Sequence, residues 1–300
     1  MAPRLSVMIT AFREAETVGP AIDAFLPQLD QESELLVVCP DPETIAVVDD
    51  YAERHPVVRH VADPQRGKPT AVNAGLEAAR GQVVVLSDGD VLVDDEALAP
   101  LLAPFRDPQV GAVSGRPISV SPRHTMLGYW SHLLTDGIHR MRVARDRATR
   151  TGTDRFLVCS GYLFAFRNEL VHHVPEDALA EDAVISHQIA QQGALIRYAP
   201  EARVYVRYPA SYRDWLRQKV RSAGGYAQAY VRQSPFRMRS AWLEAKNAWM
   251  ALTYPQNLRE FVWTLLLFAA RIHLWLLVLI KVRLLRRPFD SIWKRVESTK

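Results

Sequence analysis

Val83-Val84-Val85-Leu86-Ser87-Asp88-Gly89-Asp90 runs from an apolar stretch straight into a turn with two carboxylates. A short β-branched run of this kind reads as a strand buried on both faces. Leu5–Thr10, Leu35–Cys39 and Val57–Val61 read the same way, and Ala15–Leu29, Thr44–Arg54 and Pro69–Ala79 between them read as helices. Strand–helix alternation at this spacing predicts βαβ units, hence an α/β fold with a parallel sheet flanked by helices. Ligands in such sheets bind beyond the carboxyl ends of the strands. The loops to inspect are therefore Ala11–Glu16, Pro40–Glu43, Asp63–Lys68 and Ser87–Asp90.

The pattern becomes mixed after Asp95. A helix over Glu96–Phe105, a strand over Val110–Ser114 and an amphipathic helix over about His124–Arg145 precede a strand over Phe156–Phe166. A helix around Ala180–Gln191, strands near Leu195–Tyr198 and Val204–Tyr208, and a basic helix from Tyr212 to about Val231 follow. These elements place a catalytic domain over residues 1–240 and a C-terminal helical segment over 241–300.

Composition narrows the function classes. Of 300 residues 48% are hydrophobic and 23% charged, which excludes a disordered chain. Cys39 and Cys159 have no metal-ligand or redox spacing and read as buried small hydrophobes in a reducing compartment. The net charge of +4 conceals a division: residues 1–200 hold 18 Lys/Arg against 27 Asp/Glu, and residues 201–300 hold 19 against 6. A basic block implies an anionic partner. No nucleic-acid motif accompanies it, so no nucleic acid is expected, and its position beside the most hydrophobic stretch points to a membrane surface.

That stretch, Phe261–Ile280, is nearly all apolar, and twenty helical residues span about 30 Å, one hydrocarbon thickness. Arg271 and His273 lie mid-stretch, where an arginine costs roughly 2.5–3.5 kcal/mol on insertion scales. Lys281, Arg283, Arg286 and Arg287 follow it and should stay cytoplasmic, as should the catalytic domain at its other end. A helix lying in the interface, a re-entrant helix, or one packed against another copy of the chain in a homo-oligomer removes that conflict. Five of the seven tryptophans, at 242, 249, 263, 275 and 293, cluster here. The N-terminus is too short and strand-like for a signal peptide, so folding should begin in the cytoplasm. The expected location is the cytoplasmic face of the cell membrane.

Asp88 and Asp90 can converge on one hard divalent cation, Mg²⁺ or Mn²⁺, with Gly89 allowing the sharp bend. A nucleotide diphosphate would supply further oxygens, and the metal would neutralise it as a leaving group. The same three residues also make an ordinary turn. Arg66-Gly67-Lys68-Pro69 sets two cations and a helix start on the same sheet edge, suited to phosphate; a capped surface helix reads identically. Glu181-Asp182 opens a helix, where acids serve the dipole or, alternatively, take a proton from an acceptor hydroxyl. Gln218 and Arg221 share a helix face and suit diphosphate or a sugar hydroxyl.

The order of these elements over residues 4–232 resembles the family 2 glycosyltransferases, inverting enzymes with a GT-A catalytic domain. The resemblance implies that Thr10, Ala11, Phe12, Glu14, Asp41, Lys68, Asn73, Asp88 and Gly89 meet the nucleotide-sugar, with a UDP-sugar favoured. It implies that Asp88 and Asp90 hold the metal, that Gly161, Glu181, Gln218 and Arg221 serve the acceptor and diphosphate, and that Asp182 is the catalytic base. The departures are Cys39-Pro40-Asp41, where the family carries a second acidic loop and only Asp41 remains, and Ser222, where synthases carry tryptophan. With too few membrane helices for a secretion pore, they favour transfer of one sugar to a lipid-linked or glycan acceptor over a processive polysaccharide synthase. A nucleotidyltransferase or a non-catalytic sugar-nucleotide-binding membrane protein are the other readings; a dinucleotide dehydrogenase lacks its glycine fingerprint here.

Overall fold

A computed structural model describes residues 4–152, 156–225, 228, 231 and 248–280. Strands β1 (Leu5–Thr10), β2 (Ser33–Cys39), β3 (Val58–Ala62) and β4 (Val83–Asp88) form a parallel block, with helices α1 (Ala15–Phe25), α2 (Pro42–Arg54) and α3 (Lys68–Ala78) as crossovers. Beyond them come β5 (Leu92–Val93), α4 (Leu98–Leu102), β6 (Val110–Ser119), α5 (Met126–Arg150), β7 (Leu163–Arg167), α6 (Glu181–Gln191), β8 (Leu195–Val206) and α7 (Tyr212–Gly225). One eight-stranded sheet results, in the order β3-β2-β1-β4-β7-β6-β8-β5. β7 is antiparallel to both neighbours and β8 is parallel to β6, so the helix-flanked sheet is the expected α/β one, parallel through its first four strands and mixed beyond them.

Side-chain alternation builds the two faces. Val7, Ile9, Leu35, Val37 and Val85 pack toward α1, α2 and α4, whereas Met8, Val38, Val84 and Leu86 pack toward α3 and α6. Helix ends obey local chemistry. Asp41 caps α2 by accepting from the Thr44 amide at 3.1 Å, and Thr125 caps α5 by accepting from the Gly128 amide at 3.1 Å.

Several boundaries differ from the sequence expectations, each for a local reason. Pro27 ends α1 in a 3-10 turn, and Pro104 does the same to α4. Residues 156–160 are buried but form no strand, because the Cys159 and Ser160 amides donate to the hydroxyls of Ser186 and Ser114, both at 3.0 Å. The two strands expected near 195 and 204 are a single strand, β8. Its register against β6 jumps from Ser114↔Tyr198 to Arg116↔Arg203, and Pro200 sits in that bulge. The two-residue β5 had no readable signal, and the expected domain boundary near 240 lies outside the described residues.

The apolar C-terminal stretch forms α8 (Leu258–Val278), which by length and composition could cross a membrane. It is docked along its length on α5 and α7. Glu260, Thr264, Leu267, Ala270, Leu274 and Val278 form its buried stripe. Thr264 Oγ1 meets the Tyr129 hydroxyl at 2.7 Å, and the Trp130 indole donates to Trp263 O at 2.7 Å. At the N-terminal end Arg123 forks onto Glu260, at 3.1 and 3.2 Å, and also donates to Tyr254 OH at 3.3 Å. Such a fork beside an almost buried carboxylate holds the helix angle as well as contributing energy. Arg123→Ala is expected to destabilise the chain by roughly 1.5–3 kcal/mol, read as a lower urea midpoint; an unchanged midpoint would show that α8 docks without it.

Candidate active site

β1, β2 and β4 end at one level, so that Thr10 stands beside Val38 on one side and Asp88 on the other. The Thr10 hydroxyl donates to Asp88 Oδ1 at 3.3 Å, and the Gly89 amide donates to Thr10 O at 2.9 Å. A Cβ on Gly89 would lie 2.7 Å from Glu14 Oε2 and 2.8 Å from Ala11 Cβ. The bare glycine therefore lets the loop after β1 press against the Asp88–Asp90 turn. On that loop Phe12 is half-buried, with the Arg13 guanidinium 5.4 Å from its ring centre.

Lys68 is the first residue of α3 and reaches across to two carboxylates. Its Nζ is 2.6 Å from Asp88 Oδ1 and 2.7 Å from Glu181 Oε1. Burial would discharge it, but these two anions outweigh burial and raise its pKa, so it remains an ammonium. Burial would likewise raise Glu181, yet Lys68 holds it below the ordinary carboxylate value. The bridge joins residues 113 positions apart and ties the β4 turn to the start of α6.

Asp182 follows on the first turn of α6. Its Oδ2 accepts from the Gly161 amide at 3.2 Å and its Oδ1 from the Ala183 amide at 2.8 Å. A Cβ on Gly161 would stand 3.3 Å from Oδ2, a tight contact that the bare glycine avoids. Burial and the neighbouring Glu181 charge push Asp182 up to about 6, against the opposing pull of Lys68. A carboxyl with that pKa is ionised at neutral pH and still basic enough to receive a proton.

Tyr162 lines the space between these groups and α7. Gln218 Nε2 donates to its hydroxyl at 3.4 Å, and Ser87 Oγ donates to its carbonyl at 3.0 Å. Burial, then the charges of Asp90 and Asp88, hold its pKa well above ordinary, while Arg221 opposes them. Arg221 also helps to lower Glu181, and the Gln218–Tyr162 bond sets α7 along the same cleft. Tyr162 belongs to the Cys159–Tyr162 stretch whose likeness to the family's acceptor-side segment put Gly161 among the expected site residues; Tyr162 itself was given no role. The Gly161 before it was the available signal.

Two expected nucleotide-binding residues have other bonds. Asp41 accepts from Thr44 Oγ1 at 2.7 Å and from the Arg13 amide at 2.7 Å, pinning Arg13 in a left-handed conformation at φ 54°. Asn73 is buried, and both of its amide atoms bond the backbone of Val174 at 2.8 Å. Cys39 and Cys159 are free and buried, and burial pushes each thiol up to about 12, which leaves no thiolate nucleophile. Among the described residues no three His, Cys, Asp or Glu side chains converge as a metal cage. Asp88 ends β4 and Asp90 stands in the turn that follows it, and both are hard oxygen donors. They fit a divalent ion that takes its remaining ligands from a diphosphate.

Residues 3–225 match the family described as Glycosyltransferase like family 2. The poly-beta-1,6-N-acetyl-D-glucosamine synthase of Staphylococcus epidermidis is 23% identical over 234 residues, covering 76% of this chain and 56% of that protein. A probable glycosyltransferase of Bacillus subtilis is 24% identical over 237 residues, covering 74% and 55%. The chain thus spans a little over half the length of these relatives. In fold it is similar to a mannosyltransferase from Pyrobaculum calidifontis, solved with GDP-Man and Mn²⁺: TM-score 0.61, 22% identity, 97% of this chain and 83% of that one. The glucosyl-3-phosphoglycerate synthase of Mycobacterium tuberculosis, solved with Mn²⁺, UDP-glucose and phosphoglyceric acid, gives a TM-score of 0.52 at 17% identity, over 77% and 79%.

Proposed function

The chain belongs to the glycosyltransferase-like family 2, and from that premise we propose that it transfers a single sugar, with inversion, from a nucleotide-diphosphate sugar to a membrane-presented acceptor. The observation that carries the proposal is the Lys68 bridge from Asp88 to Glu181, which ties the Asp88–Asp90 turn to the helix start that bears Asp182. Donor diphosphate would lie at the carboxyl ends of β1 and β4, against Thr10, Gly89 and Phe12, with Lys68 moving from carboxylate to phosphate. Asp88 and Asp90 would hold Mg²⁺ or Mn²⁺ there. When bound, that ion would offset the negative charge that builds on the departing diphosphate. Asp182 takes the proton of the acceptor hydroxyl as its oxygen attacks the anomeric carbon. Gln218 and Arg221 orient the acceptor or diphosphate from α7.

The test is a panel of nucleotide sugars with Mn²⁺ and lipid extract, read as nucleotide release and product size. Release of UDP with one sugar added is the expected result. Pyrophosphate release from nucleoside triphosphates would replace the reading with nucleotidyl transfer, and long products would replace single transfer with the processive synthesis named for the Staphylococcus relative.

The acceptor side of the proposal rests on α8. Phe261, Val262, Leu265, Leu266, Ile272 and Leu276 are exposed on the face turned away from α5 and α7, and Trp249, in the turn over Ala248–Thr253, is exposed as well. A soluble monomer rarely presents a contiguous apolar face of this extent. The opposite face is bonded to the catalytic domain from Glu260 to Val278, which favours a helix lying in the interface on the cytoplasmic side over one that spans. The basic excess of residues 201–300 favours an anionic bilayer over a second, equally basic copy. Leu265→Asp with Ile272→Asp is expected to reduce co-sedimentation with vesicles containing phosphatidylglycerol by about tenfold or more. Undiminished binding would remove α8 as the contact, and a concentration-dependent dimer lost in the same variant would assign the face to a second copy.

A further inference from the structure

The segment between β7 and α6, residues 171–180, has no sheet ladder or helix to satisfy its backbone, yet much of it is buried. Buried backbone groups need partners, and two side-chain amides supply them. Asn73 on α3 donates to Val174 O and accepts from Val174 N–H, each at 2.8 Å, as a neighbouring strand would. Gln228, 4% exposed and just beyond α7, accepts from Leu179 N–H at 2.8 Å and donates to Asp177 O at 2.7 Å. Asn and Gln carry a donor and an acceptor side by side in one planar neutral amide, the same pair a backbone peptide offers.

These grips come from the two sides of the cleft. α3 begins with Lys68, and the same loop adds an Arg66–Glu176 ion pair at 3.2 Å. α7 carries Gln218 and Arg221, and its last residue, Gly225, lies so close to the segment that a Cβ would stand 2.6 Å from Ala180 Cβ. Leu179 and Ala180 lead directly into Glu181 and Asp182. Asp182 therefore takes its position from a strap held by the donor side at Val174 and by the acceptor side at Asp177 and Leu179.

We propose that Asn73 and Gln228 are positioning residues for the general base: they hold the 174–180 strap so that Asp182 sits within reach of the acceptor. The proposal rests on the glycosyl-transfer reading above and assigns roles that reading did not contain. Displacing a reacting group by about an ångström costs on the order of a hundredfold in rate without weakening substrate binding. Asn73→Ala and Gln228→Ala are accordingly expected to lower kcat by roughly 10- to 100-fold, with the donor KM within about threefold of the unsubstituted value.

The deciding experiment is a double-variant cycle with Asp182→Asn, using Mn²⁺ and the UDP-sugar that turns over fastest. Because Gln228 acts through Asp182, Gln228→Ala should cost nothing further once the base is absent. An equal loss in both backgrounds, a raised donor KM with unaltered kcat, or full activity in the single variants would overturn positioning. Gln228→Met keeps most of the volume while removing both bonds without burying a charge, and serves if the alanine variant does not fold; it should show the same loss in kcat. If the unsubstituted chain releases no nucleotide from any donor, the transfer reading fails and the strap loses its assigned role. Full turnover in Gln228→Ala removes the strap alone.

Discussion

Asp182→Asn is expected to keep nucleotide binding and lose about 10²–10⁴-fold in kcat. Asparagine keeps the shape and can still accept from the Gly161 amide, but it cannot take a proton. Calorimetry with UDP and Mn²⁺ should give an affinity close to that of the unsubstituted chain, and single-turnover transfer should locate the loss in chemistry. Near-normal turnover would sink the assignment of the base. The pH profile makes the same point independently. Asp182 is basic only when ionised and its pKa is pushed up to about 6, so kcat/KM should level off above that pH and fall tenfold per unit below it. The stability sign is opposite to that of a paired carboxylate. Its folded pKa lies above the ordinary value of 3.8, so the native state binds the proton more tightly and this site loses stability as pH rises from about 3.8 to 6. Asp182→Asn should therefore be the more stable protein at pH 8, a trade of stability against activity at one residue.

Asp88→Asn is the second large effect, and it should appear in binding as well as rate. The substitution removes one of the two strand-end carboxylates proposed to hold the ion, while Lys68 keeps Glu181 as a partner. Mn²⁺ should then no longer strengthen UDP binding, and transfer should drop by about 10²–10³-fold, equivalent to the several kcal/mol a divalent ion contributes to leaving-group stabilisation. Full metal enhancement of UDP binding in this variant would place the ion elsewhere. The two variants separate the halves of the site: one loses proton removal with donor binding kept, the other loses the donor's metal.

Much of this architecture was legible in the chain itself. β1, β2 and β4 are continuous apolar runs because they are buried on both faces, and that pattern is local. The chemical groups of the cleft were legible for a related reason. Asp88, Lys68, Glu181 and Asp182 each stand at a strand end or a helix start, positions that local sequence pattern marks on the ligand-binding edge of such a sheet. Asn73 and Asp41 were assigned to the nucleotide through the resemblance to the family's motifs, which says nothing of their partners within the chain. Which groups they bond depends on segments up to 101 residues away, and no local pattern carries that.

The sequence alone therefore determined the βαβ order, the helix-flanked sheet, and a strand-end turn carrying Asp88 and Asp90. It also determined that residues 261–280 are apolar enough for a membrane. Tertiary structure decided that Lys68 bridges Asp88 and Glu181, that β8 runs unbroken past Pro200, and that Asn73 and Gln228 brace the approach to Asp182. It also decided which face of α8 is docked and which is left apolar and exposed. The physical reason is the same throughout. Hydrophobic periodicity and turn chemistry act over a few residues, whereas a buried polar group's partner and a helix's buried face are chosen by whatever the rest of the chain brings alongside.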